Sequence, residues 1–394
     1  MGISDVKQYI NRIIKYFGKA NTNLFSISYL EQQEFMKRLG TPLNSPERSY
    51  FQYKCQMYKY PFHLKVILNI ISLFAIFFFM IKSIWNMKLM KSYCEKVDAI
   101  FIRQGVTKSI IPLSLLRDVK NLLEVNMNES FSLSLYDIRY FGIKCVINYW
   151  YSPYFCMKCL LKIGSYSHSI HKYNPKMIIT HNEYSFTSSM LTDYCRSLNI
   201  KHINVMHGEK LFNIRDAFVE FDKFYVWDEY YVDLFQQLEA DVTQFEIEPP
   251  AKLSSENKKD CCLYHVTYYL GDEDIVELNK IRKDLLKLNI PPNEICIRFH
   301  PRYTSEKDVI KIFNSFVIEN PLDVSIIESL SRTKYVASLY STVLFQAYLA
   351  GKQIIINDIS NNDKFVKLKE LKYIMLEKPH MRLSELINTS IYKD

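Results

Sequence analysis

The sequence predicts two α/β domains, each built on a parallel sheet with helices on both faces. From residue 98 onward, short apolar runs alternate with segments whose apolar residues recur at helical spacing, which is the pattern of βαβ units. A polar stretch with two prolines, EIEPPAKLSSENKKD at 246–260, interrupts the alternation and indicates a linker. At 394 residues the chain is long enough for two separate cores.

The composition indicates a globular protein of a reducing compartment. Hydrophobic residues make up 48% and charged residues 23% of the chain, and both values are ordinary. The nine cysteines follow no framework spacing. The chain starts without a cleavable signal peptide, so we expect free, mostly buried thiols. Cys156 and Cys159 form a lone CxxC, for which we expect ordinary packing rather than metal binding or redox work.

Positive charge is concentrated in the N-terminal quarter. Residues 1–91 carry 13 Lys or Arg against 4 Asp or Glu, a net charge of +9, while the whole chain carries +8. The α/β part is therefore near neutral, which disfavours nucleic acid as a partner. A basic segment beside an apolar run is typical of contact with an anionic membrane surface.

The apolar run is VILNIISLFAIFFFMI, Val66–Ile81, and it extends to Trp85 if Lys82 is included. Its 16 residues fall short of the roughly 20 that span a bilayer. Lysines and aromatic residues flank it on both sides, as at a membrane interface. Three interpretations stay open: a helix lying in the interface, a marginal spanning helix, and a buried core helix.

Strands and helices are expected to alternate along the rest of the chain. In the first half, strands are predicted at 98–102, 176–180, 202–206 and 223–227, with helices at 186–198 and after Asp228 and a helical or mixed segment at 110–125. In the second half, strands are predicted at 261–269, 294–299, 334–339 and 353–358, with helices at 272–288, 324–332 and 342–350.

Polar residues follow two strands of the second domain, at the carboxyl ends where open parallel sheets bind their ligands. Free N–H groups at a helix start favour anions, and a histidine can donate a proton or hydrogen bond to a phosphate oxygen. The sequence therefore predicts a phosphate site, with plain strand and helix capping as the alternative. Its residues are His300 and Pro301 with Arg298 and Arg302 beside them, and Tyr340, Ser341 and Thr342 before a helix.

Two loops of the first domain are expected to face the same cleft. One is HNEYS, with His181 and Glu183, and the other is HGEK, with His207, Gly208 and Glu209. A carboxylate there can take a proton from an attacking hydroxyl, and the glycine allows close backbone approach. In the second domain, LGDED offers Asp272, whose alternative role is to stabilise a helix N-terminus.

These residues resemble a known family. A strand-ending HP with a downstream Ser-Thr before a helix is similar to bacterial sialyltransferases of the GT-B fold and to related capsule and lipopolysaccharide transferases. The segment 325–356, SIIESLSRTKYVASLYSTVLFQAYLAGKQIII, resembles their C-terminal half, and NIKHINVMHGEK at 199–210 resembles the N-terminal half of surface-polysaccharide transferases. The resemblance covers residues 98–358 and implies the GT-B fold, in which two Rossmann-like domains face a cleft.

The resemblance also implies an inverting, metal-independent transfer from a nucleotide sugar, commonly a CMP-sugar, without a cofactor. According to this resemblance, His300 is the general acid or the hydrogen-bond donor to the phosphate, and Ser341 and Thr342 bind the phosphate. The family's acidic motif with a glycine, which supplies the general base, has no match in this chain. Glu183 is the first candidate for the base and Asp272 the second. The base would deprotonate an acceptor hydroxyl while His300 and the helix dipole stabilise the departing phosphate.

The predicted organisation has four parts. They are a basic N-terminal region at 1–95, with its apolar helix at 66–85 packed on or part of the first domain; a Rossmann-like acceptor domain at 96–247; a linker at 248–260; and a Rossmann-like nucleotide-sugar-binding domain at 261–394.

The predicted function is transfer of a sialic-acid-type sugar from a CMP-sugar to a lipid-linked or oligosaccharide acceptor in surface-polysaccharide (O-antigen or capsule) synthesis. The predicted location is the cytoplasmic face of the inner membrane, peripheral or monotopic, held there by the basic N-terminal region. The alternatives are a UDP- or GDP-sugar donor, a CDP-polyol donor, an epimerase of the same architecture, and a non-catalytic membrane-associated assembly protein. The sequence leaves the acceptor, the linkage and the oligomeric state open.

Overall fold

The computed structural model describes residues 26–86, 96–103, 108–126, 131–250 and 262–391. The chain divides into two compact units. The first runs to His207 and resumes at Phe212, and the second comprises Gly208–Leu211 together with the chain after residue 251. Most of the predicted linker, 251–260, lies outside the described residues.

The first unit carries six strands and nine α-helices among its described residues. The helices are α1 Tyr29–Leu39, α2 Ser45–Gln56, α3 Phe62–Asn86, α4 Leu113–Asp118, α5 Leu135–Phe141, α6 Ile147–Tyr149, α7 Pro153–Tyr173, α8 Ser188–Ser197 and α9 Glu229–Gln237. A π-helical turn, Gly142–Val146, joins α5 to α6. The strands are β1 Ala99–Arg103, β2 Leu122–Asn126, β3 Met177–Thr180, β4 Lys201–Val205, β5 Lys223–Val226 and β6 Phe245–Ile247.

All six strands of the first unit pair in parallel, in the order β2-β1-β3-β4-β5-β6. The central strands are almost wholly buried, as expected for a parallel sheet that is covered on both faces. The chain leaves β1 toward β2 on one side and returns to β3 on the other. This reversal is the topological switch point, where ligands of such sheets bind.

Helix α7 forms the layer between α3 and the sheet of the first unit. Most of its 21 residues are buried, including Cys156 and Cys159, so the CxxC pair is packed in the core. Gly164 has a packing role, because a Cβ there would lie 2.1 Å from the ring of Phe131. Helix α3 lies against α7 through one face. It is longer than the predicted apolar run, and 62–83 is long and apolar enough to cross a membrane.

The second unit carries six strands and six α-helices among its described residues. The strands are β7 Tyr264–Tyr269, β8 Ile295–Arg298, β9 Val317–Glu319, β10 Thr333–Ser338, β11 Gln353–Ile356 and β12 Met381–Arg382. The helices are α10 Ile275–Leu285, α11 Glu306–Ile312, α12 Ile326–Ser331, α13 Thr342–Leu349, α14 Asn362–Glu370 and α15 Leu383–Ile391.

The second sheet is also wholly parallel, in the order β12-β11-β10-β7-β8-β9. Numbered from its first strand, this is the 3-2-1-4-5-6 order of a Rossmann fold. Its switch point lies between β7 and β10, so the loops after these two strands border the expected ligand position. The prediction of two α/β domains with parallel, Rossmann-like sheets is confirmed.

Helix boundaries follow local chemistry that the sequence displays. Asp228 caps α9 by accepting a hydrogen bond from the Tyr230 backbone N–H at 2.9 Å, as predicted. Asp274 forms a capping box with Glu277 at the start of α10. Helix α13 ends at Leu349 and is followed by its C-cap Ala350 and by Gly351, whose φ of +71° is readily available only to glycine. The segment 110–125, predicted as helical or mixed, contains α4 followed by β2.

Candidate functional site

Three loops converge at the switch point of the second sheet. The Thr304 hydroxyl, in the loop after β8, donates to the Gly271 carbonyl after β7 at 2.7 Å. A Cβ atom built onto Gly271 would lie 3.7 Å from the carbonyl oxygen of Tyr340, which is in the loop after β10. Gly271 therefore sits where the loops that carry His300 and Ser341 meet.

His300 presents one nitrogen of its ring as a donor. The backbone N–H of Arg302 donates to His300 Nδ1 at 3.1 Å, so the neutral ring carries its proton on Nε2. The ring stacks on Tyr303, with centroids 4.5 Å apart. Burial and the Arg302 charge lower the pKa of His300, against an opposing effect of Asp272. At neutral pH His300 is thus an uncharged hydrogen-bond donor.

The start of α13 forms the second part of the site. Ser341 Oγ accepts from the Val343 N–H at 3.3 Å and caps the helix. The Tyr373 hydroxyl lies 3.5 Å from the Ser341 nitrogen and 3.4 Å from its carbonyl oxygen, and the Tyr373 ring packs edge-on against Tyr340 at 5.1 Å. Thr342 is the first residue of the helix, where the peptide dipoles present partial positive charge.

Glu209 belongs to this unit rather than to the first. The HGEK loop contains Gly208, whose φ is +72°, and the segment Gly208–Leu211 groups with the second unit. Burial raises the pKa of Glu209 well above its ordinary value, against a smaller effect of the Tyr373 hydroxyl. Burial thus favours the protonated form of Glu209, which lies beside the tyrosine that contacts Ser341.

Two further carboxylates line the loop after β7. Asp272 forms an ion pair with Lys364 at 2.7 Å. Burial acts to raise the pKa of Asp272, but the hydrogen bond and charge of Lys364 outweigh it, so the pKa is below its ordinary value. Glu273 accepts from the Gly271 N–H at 2.5 Å, and burial raises its pKa. The pKa values of these two neighbouring carboxyl groups are therefore shifted in opposite directions.

Arg298 does not lie at the surface of the site. Its side chain is buried and forms an ion pair with Glu319 on the neighbouring strand β9, Nη1 to Oε1 at 2.5 Å, and its other Nη donates to the Val324 carbonyl at 2.8 Å. The predicted role of Arg298 as a phosphate ligand is therefore corrected, because its donors are used inside the unit. Pro301 and Arg302 lie in the exposed turn after β8.

The switch point of the first unit is a closed network. Glu183 is completely buried, and its Oε2 accepts from the Asn204 amide at 3.0 Å. Asn204 Oδ1 in turn accepts from the Asn182 N–H at 2.7 Å, and Gln52 donates to the Glu183 carbonyl at 2.8 Å. The first candidate for the general base thus faces the interior, where it fixes the loop after β3.

His207 is exposed at this end of the first sheet. It follows β4, and its ring lies edge-on to that of His181, with centroids 5.5 Å apart. His181 itself is buried. The structure brings the two predicted histidines together and leaves His207 as the one in contact with solvent.

The sequence analysis did not assign several residues of both sites. Gly271 could have been assigned, because it is a glycine just after the carboxyl end of β7. Tyr373, Thr304 and Asn204 carried no such signal, since each acts through a partner 21 to 33 residues away. Among the described residues, no group of three or more His, Cys, Asp or Glu side chains is placed to hold a metal ion, and metal independence stays a prediction.

Comparison with known proteins gives a likeness in fold. No family model and no curated protein matches the chain. The S. aureus MnaA–UDP complex aligns with 11% identity over 75% of this chain and 88% of its own, at a TM-score of 0.44. The wall teichoic acid polymerase TagF aligns with 10% identity over 82% and 88%, at 0.44. The UDP-GlcNAc 2-epimerase from Neisseria meningitidis aligns with 10% identity over 75% and 90%, at 0.43. Such values say nothing about the reaction of this chain.

Proposed function

We propose that the chain is a GT-B transferase that binds an activated donor through its nucleotide phosphate at the second switch point. The observation that carries this proposal is the meeting of the His300 and Ser341 loops at Gly271. A neutral Nε2–H donor and a Ser-capped helix start both bind anionic oxygens. Carboxyl-end switch points are where Rossmann-like sheets bind nucleotides.

In this proposal the leaving group is a nucleotide phosphate. The bond between the donor's transferred carbon or phosphorus and the phosphate oxygen breaks, and the electron pair stays on that oxygen. His300 Nε2–H and the N–H groups at the start of α13 stabilise the charge that develops there. Arg302 stands in the exposed turn beside His300 and adds long-range attraction for the anion.

The base is the part of the predicted mechanism that the structure changes most. Glu183 is buried and holds Asn204, and Asp272 is paired with Lys364. His207 is exposed at the carboxyl end of β4, and histidine is the side chain that most often serves as a general base. We propose His207 as the group that takes the proton of the acceptor hydroxyl, with Asp272 retained as the alternative.

The finer proposals rest on the sequence resemblance. They are a CMP-linked donor with a sugar of the sialic-acid type, a lipid-linked or oligosaccharide acceptor of surface-polysaccharide synthesis, no need for a metal ion, and a location at the cytoplasmic face of the inner membrane. A UDP-sugar, GDP-sugar or CDP-polyol donor would use the same phosphate site.

The test is a thermal-shift panel on the detergent-solubilised full chain with CMP, CDP, UDP, GDP and dTDP. A ligand that binds the folded site raises the melting temperature by mass action. We expect one nucleotide to do so, and we expect His300→Ala and Ser341→Ala to abolish the rise. His265→Ala is the matched control, because His265 lies at the opposite end of β7, stacked on Tyr335 at 5.2 Å.

Each outcome of the panel has a distinct meaning. A rise with CMP supports a donor that releases CMP, and turnover of a CMP-sugar against a CDP-polyol then separates the two donors of this kind. A rise with UDP, GDP or dTDP alone keeps the site and discards both of them, and a rise with CDP alone favours the CDP-polyol. If no nucleotide raises the melting temperature, the phosphate site is wrong and the non-catalytic alternative is favoured. Turnover of the matching donor, with and without EDTA, then tests catalysis and the predicted metal independence.

A further inference from the structure

Helix α3 has two faces of different environment. Its inner face lies in the core of the first unit, with Leu64, Leu68 and Phe79 no more than 1% exposed. Even the polar residues of this face are buried and bonded within the helix, since Ser72 and Ser83 donate to the Leu68 and Phe79 carbonyls at 2.6 and 2.7 Å. The inner face is therefore fixed to the first unit from its first turn to its last.

The outer face of α3 is an apolar stripe. Its members recur at intervals of three and four residues, which places them on one side of the helix. Phe62, Phe74 and Phe77 are 81%, 74% and 68% exposed. From 62 to 81 the stripe is about 28 Å long at 1.5 Å per residue. The outer stripe consists of Phe62, Val66, Ile70, Leu73, Phe74, Phe77, Phe78 and Ile81.

The two sequence segments that contain α3 and its supporting helix carry no acidic residue. Residues 48–94, which include α3, carry seven Lys or Arg and no Asp or Glu. Residues 138–182, which include the supporting helix α7, carry six Lys or Arg and again no Asp or Glu. Four of these thirteen cations, Arg48, Lys59, Lys144 and Lys176, form ion pairs with acidic residues from other segments of the first unit. Lys65 and Lys82 lie on α3 itself, and an exposed apolar strip with such basic residues beside it is complementary to an anionic lipid surface.

The packing of α3 limits how it can enter a bilayer. A helix that spans is surrounded by lipid or by other membrane-embedded segments. Here the inner face is held along its length by α7, which itself packs toward the sheet of the first unit. Only the outer stripe is available to lipid, so entry is limited to the depth of one helix face, about 5–10 Å.

We infer that the outer stripe of α3 docks the first unit on an anionic leaflet, with the helix axis parallel to the membrane plane. The geometry points to an interfacial helix and against both a spanning helix and a buried core helix. This inference refines the membrane location of the proposed transferase. Vesicle binding tests the membrane contact without any nucleotide. A failure of this inference is therefore distinguishable from a failure of the proposed nucleotide site.

The first experiment is vesicle flotation of the detergent-freed full chain. The vesicles contain phosphatidylcholine alone or with 30 mol% phosphatidylglycerol, and the comparison includes Phe74→Asp/Phe77→Asp. The control is Leu322→Asp, an equally exposed apolar position in the second unit. We expect binding to anionic vesicles at least tenfold above neutral ones, a tenfold or greater loss in the double variant, and none in the control.

The second experiment measures depth along the helix. A fluorophore is attached to Phe62→Cys, Ile70→Cys or Ile81→Cys in a chain whose Cys94, Cys261 and Cys262 are Ser. The other six cysteines are buried. Lipids with quenchers at different acyl-chain positions then report depth. We expect the same shallow depth at all three sites.

Three results would overturn the inference. Equal vesicle binding by the wild type and the double variant would show that the outer stripe does not contact the membrane. A deep position at 70 between shallow positions at 62 and 81 would establish a spanning helix. A dimer in solution that the double variant makes monomeric, without vesicle binding by the wild type, would assign the stripe to a second copy of the chain.

Discussion

The two switch points differ in the burial of the candidate bases that the sequence offers there. At the first switch point Glu183 is completely buried and bonded to Asn204, and His202 further back on β4 is bonded on both ring nitrogens. At the second switch point the Asp272 side chain is 70% exposed, and His300 keeps Nε2 as a donor while Nδ1 accepts from the backbone.

This difference separates histidines and carboxylates that are buried in the fold from those that remain accessible. In both units the sequence shows the same pattern, a histidine or acid where a parallel strand ends. Burial decides what the pattern does, because a buried group must be satisfied by the protein while an exposed one stays available to a ligand. The predictions below test that division, from the largest expected effect to the smallest.

The largest effect concerns the pH dependence of the first unit. Burial lowers the pKa of His202 to about 3, against an opposing effect of Asp222 and with a further lowering by Arg196. As pH falls below about 6.5 the unfolded chain binds a proton that the folded chain does not, so stability falls with pH. Between pH 7 and 4 the loss is about 3 kcal/mol from this group.

The measurement is urea unfolding followed by tryptophan fluorescence. All three tryptophans, Trp85, Trp150 and Trp227, belong to the first unit, so the signal reports that unit alone. We expect the His202→Gln variant to lose less stability than the wild type over this range, whatever its stability at pH 7. Equal pH slopes in the two proteins would show that His202 is not kept neutral by burial.

The next effect contrasts the two carboxylates that the sequence offered as general base. Glu183→Ala removes the acceptor of the buried Asn204 amide, which costs about 2–3 kcal/mol. Asp272→Ala removes a largely exposed ion pair, which costs at most about 1 kcal/mol. Thermal unfolding of both variants measures this, and Glu183→Gln, which keeps an acceptor oxygen, should recover part of the loss. Similar losses in the two alanine variants would contradict the division.

A third effect concerns His300 at the second switch point. Burial and Arg302 lower the pKa of His300 in the free protein, while a bound phosphate favours the charged ring. Nucleotide affinity should therefore rise as pH falls from 7.5 to 5.5, by up to about tenfold. Calorimetric titration of wild type against His300→Gln measures this. A retained pH dependence in the variant would assign it to another group or to the phosphate itself.

The sequence predicted the sheets and the polar residues at the strand ends, because both depend on local patterns of polarity. It did not predict which side chains these residues contact. Arg298 looked like a phosphate ligand since its strand ends at a ligand edge, but Glu319 on the unpredicted strand β9 pairs with it. Glu183 looked like an available base, but its contact with Asn204 depends on the register of two strands. Such contacts are set by tertiary packing and leave no periodic trace.

The smallest effect tests whether Asp272 takes part in chemistry. In Asp272→Asn the ion pair with Lys364 is lost, yet stability should change by less than about 1 kcal/mol because the carboxylate is mostly exposed. Nucleotide affinity should rise by about twofold, since one negative charge near His300 is removed and Lys364 is released to attract the phosphate.

Turnover of the same variant tells whether Asp272 or His207 is the general base. If His207 is the base, turnover stays within severalfold of wild type and His207→Gln loses about 100-fold or more. If Asp272→Asn instead loses turnover to that extent at unchanged stability, the exposed carboxylate is the base, and the ion pair with Lys364 holds it in place for that role.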